Sequence, residues 1–152
     1  HHGDYCEKTI NNGYIIYGRS DATLNAGGVR IGTSEIYRVV ENIDKIIECV
    51  AVEHNLYTDT EVILFVKLNL NNSLDNKLIE NIKLEIRTNL SPKHIPSKIF
   101  EVSDIPKTKS GKIVELSIKN IINGMEIENE NALANPDCLK EYQSIYNLLK
   151  EN

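Results

Sequence analysis

The spacing of apolar residues in the first third of the chain predicts two hairpins followed by one helix. The run Tyr14 to Tyr17 follows the turn sequence Asn11-Asn12-Gly13, which predicts a hairpin over about residues 5–18. Leu24 to Ile31 enclose a Gly-Gly turn and predict a second, smaller hairpin. Thr33 or Ser34 is then expected to cap a helix. Its apolar positions, at helical spacing, are Ile36, Val39, Val40 and Ile43.

The middle of the chain predicts two buried strands and a longer helix. Residues 46–52 and 62–68 are short apolar runs with a polar connection between them, as in the strands of a sheet. Beyond them an apolar residue recurs every four positions, which predicts a helix capped by Ser73 or Asn72. These apolar positions are Leu74, Leu78, Ile82, Ile86 and Leu90.

The last third predicts one more strand, two helices and two polar connections. Residues 98–102 suit a strand, whereas 104–112 form a Lys-rich loop that is too polar for the core. The next helix should end at Gly124, with a poorly structured connection over residues 123–137. Asn135 is expected to cap the final helix, followed by proline at its first position. This order predicts an α+β domain, with helices packed on a small mixed or antiparallel sheet.

Composition agrees with one folded domain that needs no covalent staple. The chain has 152 residues, of which 41% are hydrophobic and 26% charged, enough to bury a core. Its single methionine is Met125, so we expect either an excised part of a longer protein or a tag remnant at His1-His2. No run approaches the ~18 apolar residues of a membrane span. We therefore expect no membrane-spanning segment.

The metal-binding residue types are scattered along the chain. Three cysteines, Cys6, Cys49 and Cys138, form no CxxC pair, and the four histidines form no HExxH motif. We therefore expect reduced, structural thiols and no metal site in this segment.

Charge is distributed unevenly. The net charge of −5 disfavours nucleic acid as a partner, but residues 87–112 carry six basic and two acidic groups. This basic segment is either a site for a small phosphate-containing ligand or a solvated face. Its Lys112 follows Ser110-Gly111, in a sequence that fits neither a P-loop nor a GxGxxG turn. On a mobile loop, Lys112 would reach a phosphate or a developing oxyanion, or else remain an ordinary solvated lysine.

Three motifs together resemble a known family. They are His2-Gly3-Asp4, the run from Gly18 to Thr33, and Pro106-Lys107-Thr108-Lys109-Ser110-Gly111-Lys112-Ile113. In this order they are similar to core motifs of the adenylate-forming acyl-CoA synthetases. Residues 32–38, 91–96 and 131–136 further resemble the branch that activates acetoacetate. Ala22, where many relatives carry a second acid, agrees with that branch.

The resemblance implies a two-step ligase in the cytoplasm. Acetoacetate and ATP would give an acyl-adenylate and pyrophosphate, after which CoA would displace AMP; Mg²⁺ would accompany ATP with no ligand in this segment. Residues 1–20 would be the end hairpin of a large N-terminal adenylation domain, and 21–152 a mobile C-terminal lid with a helical extension. That N-terminal domain is then the lid's partner, and the chain alone should be inactive.

The same resemblance implies roles for seven residues. Lys112 would be catalytic in adenylation and, with Asp4, Arg19 and Arg30, would bind ATP or AMP. Gly28 and Arg87 would meet CoA, and Asp21 would be the hinge. These residues and their implied roles rest on matches to the family motifs. Each also has an ordinary structural explanation, as an exposed acid, an ion-pair partner, a turn residue or a solvated charge.

Two other functions remain open on the sequence. The chain would also suit the lid of another short-chain acyl-CoA synthetase, such as one for acetate or propionate, because the acyl pocket would belong to the N-terminal domain. From a different class, it would suit a stand-alone α+β module that binds a protein or nucleotide without turnover.

Overall fold

The structure is a computed structural model that describes residues 4–19, 23–26, 28–127 and 130–151. Within these residues the chain forms seven strands and four α-helices in an α+β arrangement, as predicted. The strands are β1 (Asp4–Lys8), β2 (Tyr14–Arg19), β3 (Leu24–Ala26), β4 (Val29–Ile31), β5 (Ile46–Asn55), β6 (Thr60–Leu68) and β7 (Lys98–Glu101). The helices are α1 (Thr33–Val40), α2 (Asn76–Asn89), α3 (Glu115–Ile122) and α4 (Leu139–Lys150).

Both predicted hairpins are present near the start of the chain. Strands β1 and β2 pair antiparallel, and Thr9 closes their turn by donating its N–H to the carbonyl of Gly13 at 2.8 Å. Strands β3 and β4 form a separate antiparallel pair, in which Leu24 lies opposite Ile31. Leu24 and Ile31 are both buried, so this small hairpin is attached to the main core.

The central sheet is mixed, with strand order β5-β6-β7. Strands β5 and β6 are antiparallel neighbours, whereas β7 runs parallel to β6 because helix α2 carries the chain back across the sheet. Side chains alternate across a strand, so Cys49 and Ala51 face one core while Val50 and Val52 face another. Burial on both faces explains why the sequences of β5 and β6 are almost continuously apolar.

Two helices cover each face of this sheet. Helices α1 and α2 pack on the first face with the β3–β4 hairpin, and α3 and α4 pack on the second. The helical core residues of the first face are Ile36, Val40, Leu78, Ile82 and Ile86. Those of the second face are Ile118, Ile121, Ile122, Leu139, Tyr142 and Ile145. Tyr142 fills the second core beside Phe65, with ring centroids 5.0 Å apart.

The starts of the first two α-helices differ from the sequence prediction. Gly32 is the N-cap of α1, and Thr33 lies inside the helix with its hydroxyl directed to Glu115 at 3.4 Å. Asp75, rather than Ser73 or Asn72, caps α2 by accepting the N–H of Leu78 at 2.7 Å. Each helix has more than one candidate cap near its start, and local sequence does not decide which residue is placed there.

The C-terminal region is more ordered than predicted. Ile105 and Pro106 are buried, so the start of the Lys-rich loop belongs to the core. Short 3₁₀ turns at Glu130–Ala132 and Pro136–Cys138 structure part of the expected loose connection and place Leu133 in the second core. Asn135 makes no capping bond, because its side chain points back to the loop instead. The ending of α3 at Gly124 agrees with the prediction.

In the part of the chain that the structure describes, no helix is both long and apolar enough to cross a bilayer.

Candidate functional site

Lys112 lies at the end of a closed loop between β7 and α3. Its carbonyl accepts the N–H of Thr108 at 2.8 Å, and its own N–H donates to the Thr108 hydroxyl at 3.1 Å. Lys107 and Ile113 form an antiparallel bridge that closes the base of the loop. Lys109 to Lys112 are exposed. The loop is therefore a hairpin-like projection that presents Lys112 to solvent.

The base of this loop is held to the rest of the domain on two sides. The Lys107 side chain donates to both oxygens of Glu48 on β5, at 2.6 and 2.7 Å. The Lys107 N–H donates to Oδ1 of Asn135 at 2.9 Å, and its carbonyl accepts the N–H of Ala134 at 2.8 Å. These bonds tie the base of the projection to the sheet and to the C-terminal segment.

Burial and hydrogen bonds act in opposite directions on Asp104, which precedes the loop. Burial alone would raise the pKa of this carboxyl, but hydrogen bonds from Lys67 and Asn135 hold it below the ordinary 3.8. Lys67 Nζ lies 2.7 Å from Asp104 Oδ1, and Asn135 Nδ2 lies 2.6 Å from Oδ2. Asp104 is therefore ionised at neutral pH and accepts from both neighbours.

Only part of the basic segment 87–112 remains available to a ligand. Lys98 is paired with Glu61, and Lys107 with Glu48. The remaining cations are exposed and form no ion pair within the described residues; they are Arg87, Lys93, Lys109 and Lys112. The charge predicted from sequence is thus reduced near the sheet and retained at the outer surface.

The β3–β4 hairpin carries two more predicted site residues. Gly28 is exposed in its turn with φ of +77°, and a Cβ at this position would meet nothing within 4 Å. Within this chain glycine is thus favoured by backbone conformation and not by crowding. Arg30 lies on β4, exposed and opposite Asn25.

Glu53 fastens this hairpin to the body of the domain. Glu53 is only 5% exposed, and its Oε1 accepts the backbone N–H of Asn25 on β3. Its Oε2 lies 2.9 Å from Nζ of Lys119 on α3. One buried carboxylate therefore joins β3, β5 and α3, and Thr60 adds a hydroxyl bond to the Asn25 carbonyl at 2.6 Å.

The other predicted residues fall on separate elements. Asp4 and Arg19 are Cα partners at the open end of the β1–β2 hairpin, which brings these two predicted nucleotide-binding residues together. Arg87 is exposed in the last turn of α2. Asp21, the predicted hinge, lies outside the described residues. The site is thus distributed over two hairpins, one helix end and the Lys112 loop.

Two further observations bear on ligand binding. No group of three or more His, Cys, Asp or Glu side chains is arranged to hold a metal ion in the described ranges. An open groove of about 870 Å³ lies between α1 and α2, with Val39, Lys77 and Leu84 among its lining residues. None of the predicted site residues that the structure describes lines this groove.

Sequence reasoning missed the residues that hold the site together. Glu48, Glu53 and Asn135 each bond to a residue at least 28 positions away. An acid directly after the apolar run Cys49 to Val52 was the available signal for Glu53, because such a residue is rarely buried without a partner. Asn135 precedes a proline, a pattern typical of a helix cap, and its contact with the loop leaves no signal in the neighbouring sequence.

The fold and the lysine-bearing loop define a class of small α+β domains. Residues 35–112 match the family described as AMP-binding enzyme C-terminal domain, and this match ends at Lys112. Because the match spans half of the chain, the chain belongs to this family of C-terminal domains.

Relatives extend the similarity beyond the family region. The acetoacetyl-coenzyme A synthetase of Rhizobium meliloti is 47% identical over 97% of this chain and 23% of its own length. The structure of acetoacetyl-CoA synthetase from Streptomyces lividans is 36% identical and superposes with a TM-score of 0.85 over 96% of this chain and 22% of its own. A benzoate CoA ligase from Burkholderia xenovorans is 27% identical, with a TM-score of 0.68 over 77% of this chain and 23% of its own. The chain thus spans about a quarter of the length of these relatives.

Proposed function

We propose that this chain is the C-terminal domain of an ATP-dependent ligase that joins acetoacetate to CoA. The observation that carries the proposal is similarity along nearly the whole chain. The two acetoacetyl-CoA synthetases match 96–97% of it, whereas the benzoate CoA ligase matches 77%. The exposed Lys112 on its anchored loop is a second support.

The proposed reaction has two steps. First, a carboxylate oxygen of acetoacetate forms a bond to the α-phosphorus of ATP, and the bond to pyrophosphate breaks. Second, the sulfur of the CoA thiolate bonds to the acyl carbon, and the bond to AMP breaks. We propose that ATP and CoA are substrates of the full-length protein, that Mg²⁺ accompanies ATP without a ligand from this segment, and that the enzyme is cytoplasmic.

Lys112 is proposed to act in the first step. Negative charge from the carboxylate and the α-phosphate comes together as the adenylate forms, and an ammonium placed between them would stabilise that state. Lys112 suits this task because its side chain is exposed and makes no ion pair among the described residues. Removing such a preorganised group typically lowers the rate by about 10²- to 10³-fold.

The other proposed roles rest on the matches of these residues to the family motifs. We propose that Asp4 binds the ribose hydroxyls and that Arg19, its partner across β1–β2, lies beside the nucleotide. Arg30 is proposed to approach a nucleotide phosphate, and Gly28 and Arg87 to meet CoA.

The proposed domain division places the end of an N-terminal adenylation domain at residues 1–20 and the mobile lid at 21–152. Asp21 is the proposed hinge, and the N-terminal domain is the lid's proposed partner. In the described part of the lid, β3 follows this point directly and is fastened by Glu53. The lid would then move with the β3–β4 hairpin as one body.

A half-reaction experiment tests the role of Lys112. In the full-length protein, Lys112→Ala should lower acetoacetate-dependent ATP–pyrophosphate exchange by about 10²-fold or more. It should spare thioester formation from purified acetoacetyl-adenylate and CoA. Lys109→Ala is the matched control, because Lys109 is an exposed lysine of the same loop. An unchanged exchange rate in Lys112→Ala would contradict the assignment.

A second experiment tests the acid. AMP release in the presence of CoA should be faster with acetoacetate than with acetate or butyrate. Preference for acetate would replace the proposed ligase with one for another short acid. No AMP release with any acid would favour the binding-module alternative.

A further inference from the structure

The direction in which Lys112 points is not determined by its own loop. The bonds inside the loop, from Thr108 to Gly111 and Lys112, give it a closed shape. They do not orient that shape relative to the sheet, because all of them join residues of the loop. The orientation of the loop therefore depends on the contacts that its base makes at Lys107.

The C-terminal segment Leu133–Asn135 grips this base. Thr108 forms an antiparallel bridge with Leu133, so the segment runs beside the loop like a short additional strand. The peptide groups on both sides of Lys107 Cα are bonded to it, since the N–H donates to Asn135 and the carbonyl accepts from Ala134. Tilting the loop would break both bonds.

Asn135 connects the loop to the sheet through its amide group. Its Oδ1 accepts from Lys107, while Nδ2 donates to Asp104 Oδ2 at 2.6 Å and to the Ile105 carbonyl at 2.9 Å. Asp104 is in turn held by Lys67 on β6. An amide offers one acceptor and two donor hydrogens, so this arrangement uses both ends of the side chain.

The segment itself is fixed by burial. Leu133 and Leu139, on either side of Asn135, are 6% and 5% exposed in the second core. Tyr142 is fully buried and donates its hydroxyl to the Asp104 carbonyl at 3.0 Å. The segment that carries Asn135 is therefore anchored in the second core.

We infer that Asn135 is a positioning residue for Lys112, fixing the direction in which the loop presents the ammonium. The inference rests on the proposed function, because it assigns Asn135 to the step in which Lys112 would act. Asn135 contacts no reacting group in this scheme. Its effect should appear in adenylation and not in thioester formation.

The test compares the two half-reactions in the full-length protein. Asn135→Ala should lower ATP–pyrophosphate exchange about 10- to 100-fold, since a displacement of about 1 Å is enough for such a loss. Thioester formation from supplied acetoacetyl-adenylate should change less than about twofold, because it does not use the Lys112 ammonium. Asn147→Ala, an exposed asparagine of α4, is the matched control. A ratio of the two rates that stays within twofold of wild type would overturn the inference.

A swap of side chains separates positioning from general damage. Asn135→Asp alone puts two carboxylates together and should lower the rate ratio at least as much as Asn135→Ala. Adding Asp104→Asn restores a donor–acceptor pair between positions 104 and 135 and leaves an acceptor for Lys107, but it leaves the Ile105 carbonyl without its donor. The ratio should therefore recover in part, to about threefold or more above that of Asn135→Asp. A double variant whose ratio is no higher than that of Asn135→Asp would contradict the inference.

The results separate failure of this inference from failure of the proposed function. If Asn135→Ala gives no soluble protein, the single and double exchanges at positions 104 and 135 decide by the same ratio. If Lys112→Ala abolishes exchange while the Asn135 variants do not alter the ratio, only the present inference fails. If Lys112→Ala itself has no effect, the proposed role of Lys112 fails first.

Discussion

Removing the buried carboxylate of Glu53 should destabilise the chain by about 3 kcal/mol. Glu53→Ala deletes a charge-assisted bond to the Asn25 N–H, and such bonds contribute roughly 1.5–3 kcal/mol. It also leaves the Lys119 ammonium without its partner at 2.9 Å. Breaking a fully buried ion pair costs about 3–5 kcal/mol. The Lys119 side chain is 26% exposed and can hydrate, so we assign this part only about 1 kcal/mol.

Urea unfolding of the purified 152-residue chain, followed by far-ultraviolet circular dichroism, measures this difference. In thermal unfolding of a chain of this size, each kcal/mol of lost stability lowers Tm by roughly 2–4 °C. The Tm of Glu53→Ala should therefore be about 6–12 °C lower. Glu53→Gln keeps an acceptor for Asn25 and should lose only about 1 kcal/mol.

Glu80→Ala provides the matched control for the loss of an acid. Glu80 is 75% exposed and lies 3.7 Å from Lys83, so its removal should change stability by less than about 0.5 kcal/mol. If Glu53→Ala is no more destabilising than Glu80→Ala, the assigned anchoring of β3 is refuted. If Glu53→Gln is as harmful as Glu53→Ala, the charge and not the acceptor carries the effect.

Two further stability effects follow from the structure. Gly124 has φ of +69°, and a Cβ there would lie 2.9 Å from Cζ of Tyr146. Gly124→Ala should therefore lower the free energy of unfolding, measured in urea, by about 2–3 kcal/mol. Gly28→Ala should lower it by only about 1 kcal/mol, because a Cβ at Gly28 meets nothing within 4 Å. Equal losses would contradict the crowding. Burial alone would raise the pKa of Glu61, but hydrogen bonds from Lys98 and His54 bring it below 4.5. A carboxyl whose pKa is lower in the folded state stabilises the fold at a pH above its unfolded-state pKa, and this stability is lost as the pH falls. Tm should therefore fall between about pH 5 and 3, and less steeply in Glu61→Gln. Parallel Tm curves for the two proteins would rule this out.

Local patterns predicted the helices and strands because the periodic burial of their residues appears directly in the spacing of apolar residues along the sequence. The alternate residues of β5 face two cores, and the four-residue spacing of Leu78, Ile82 and Ile86 forms one face of α2. The direction of β7 had no comparable signal. Its four residues pair parallel with β6 because of the path that α2 takes, which is a property of the whole topology.

Helix starts were the least accurate local prediction. Before α2 the chain offers Asn72, Ser73 and Asp75 as caps, and Asp75 is used because its oxygen reaches the N–H of Leu78. Leu74, expected inside the helix, precedes it and packs on the core from outside. The packing of this leucine and the choice of the cap depend on each other. The spacing of apolar residues indicates that the leucine packs on the core, but it does not indicate which residue caps the helix.

For the candidate site, the chemical group was easier to predict than its support. Lys112 follows from a short motif, and the structure places it on an exposed loop between β7 and α3. The side-chain bonds that hold the base of this loop, from Asn135 and Glu48 to Lys107, join residues 28 and 59 positions apart. A partner this distant leaves no pattern around either residue, and Asn135 had a plausible local role as a cap. The motif therefore supports the proposed chemistry of Lys112, whereas the proposed positioning of its ammonium depends on the C-terminal segment, which lies beyond the family match at residues 35–112.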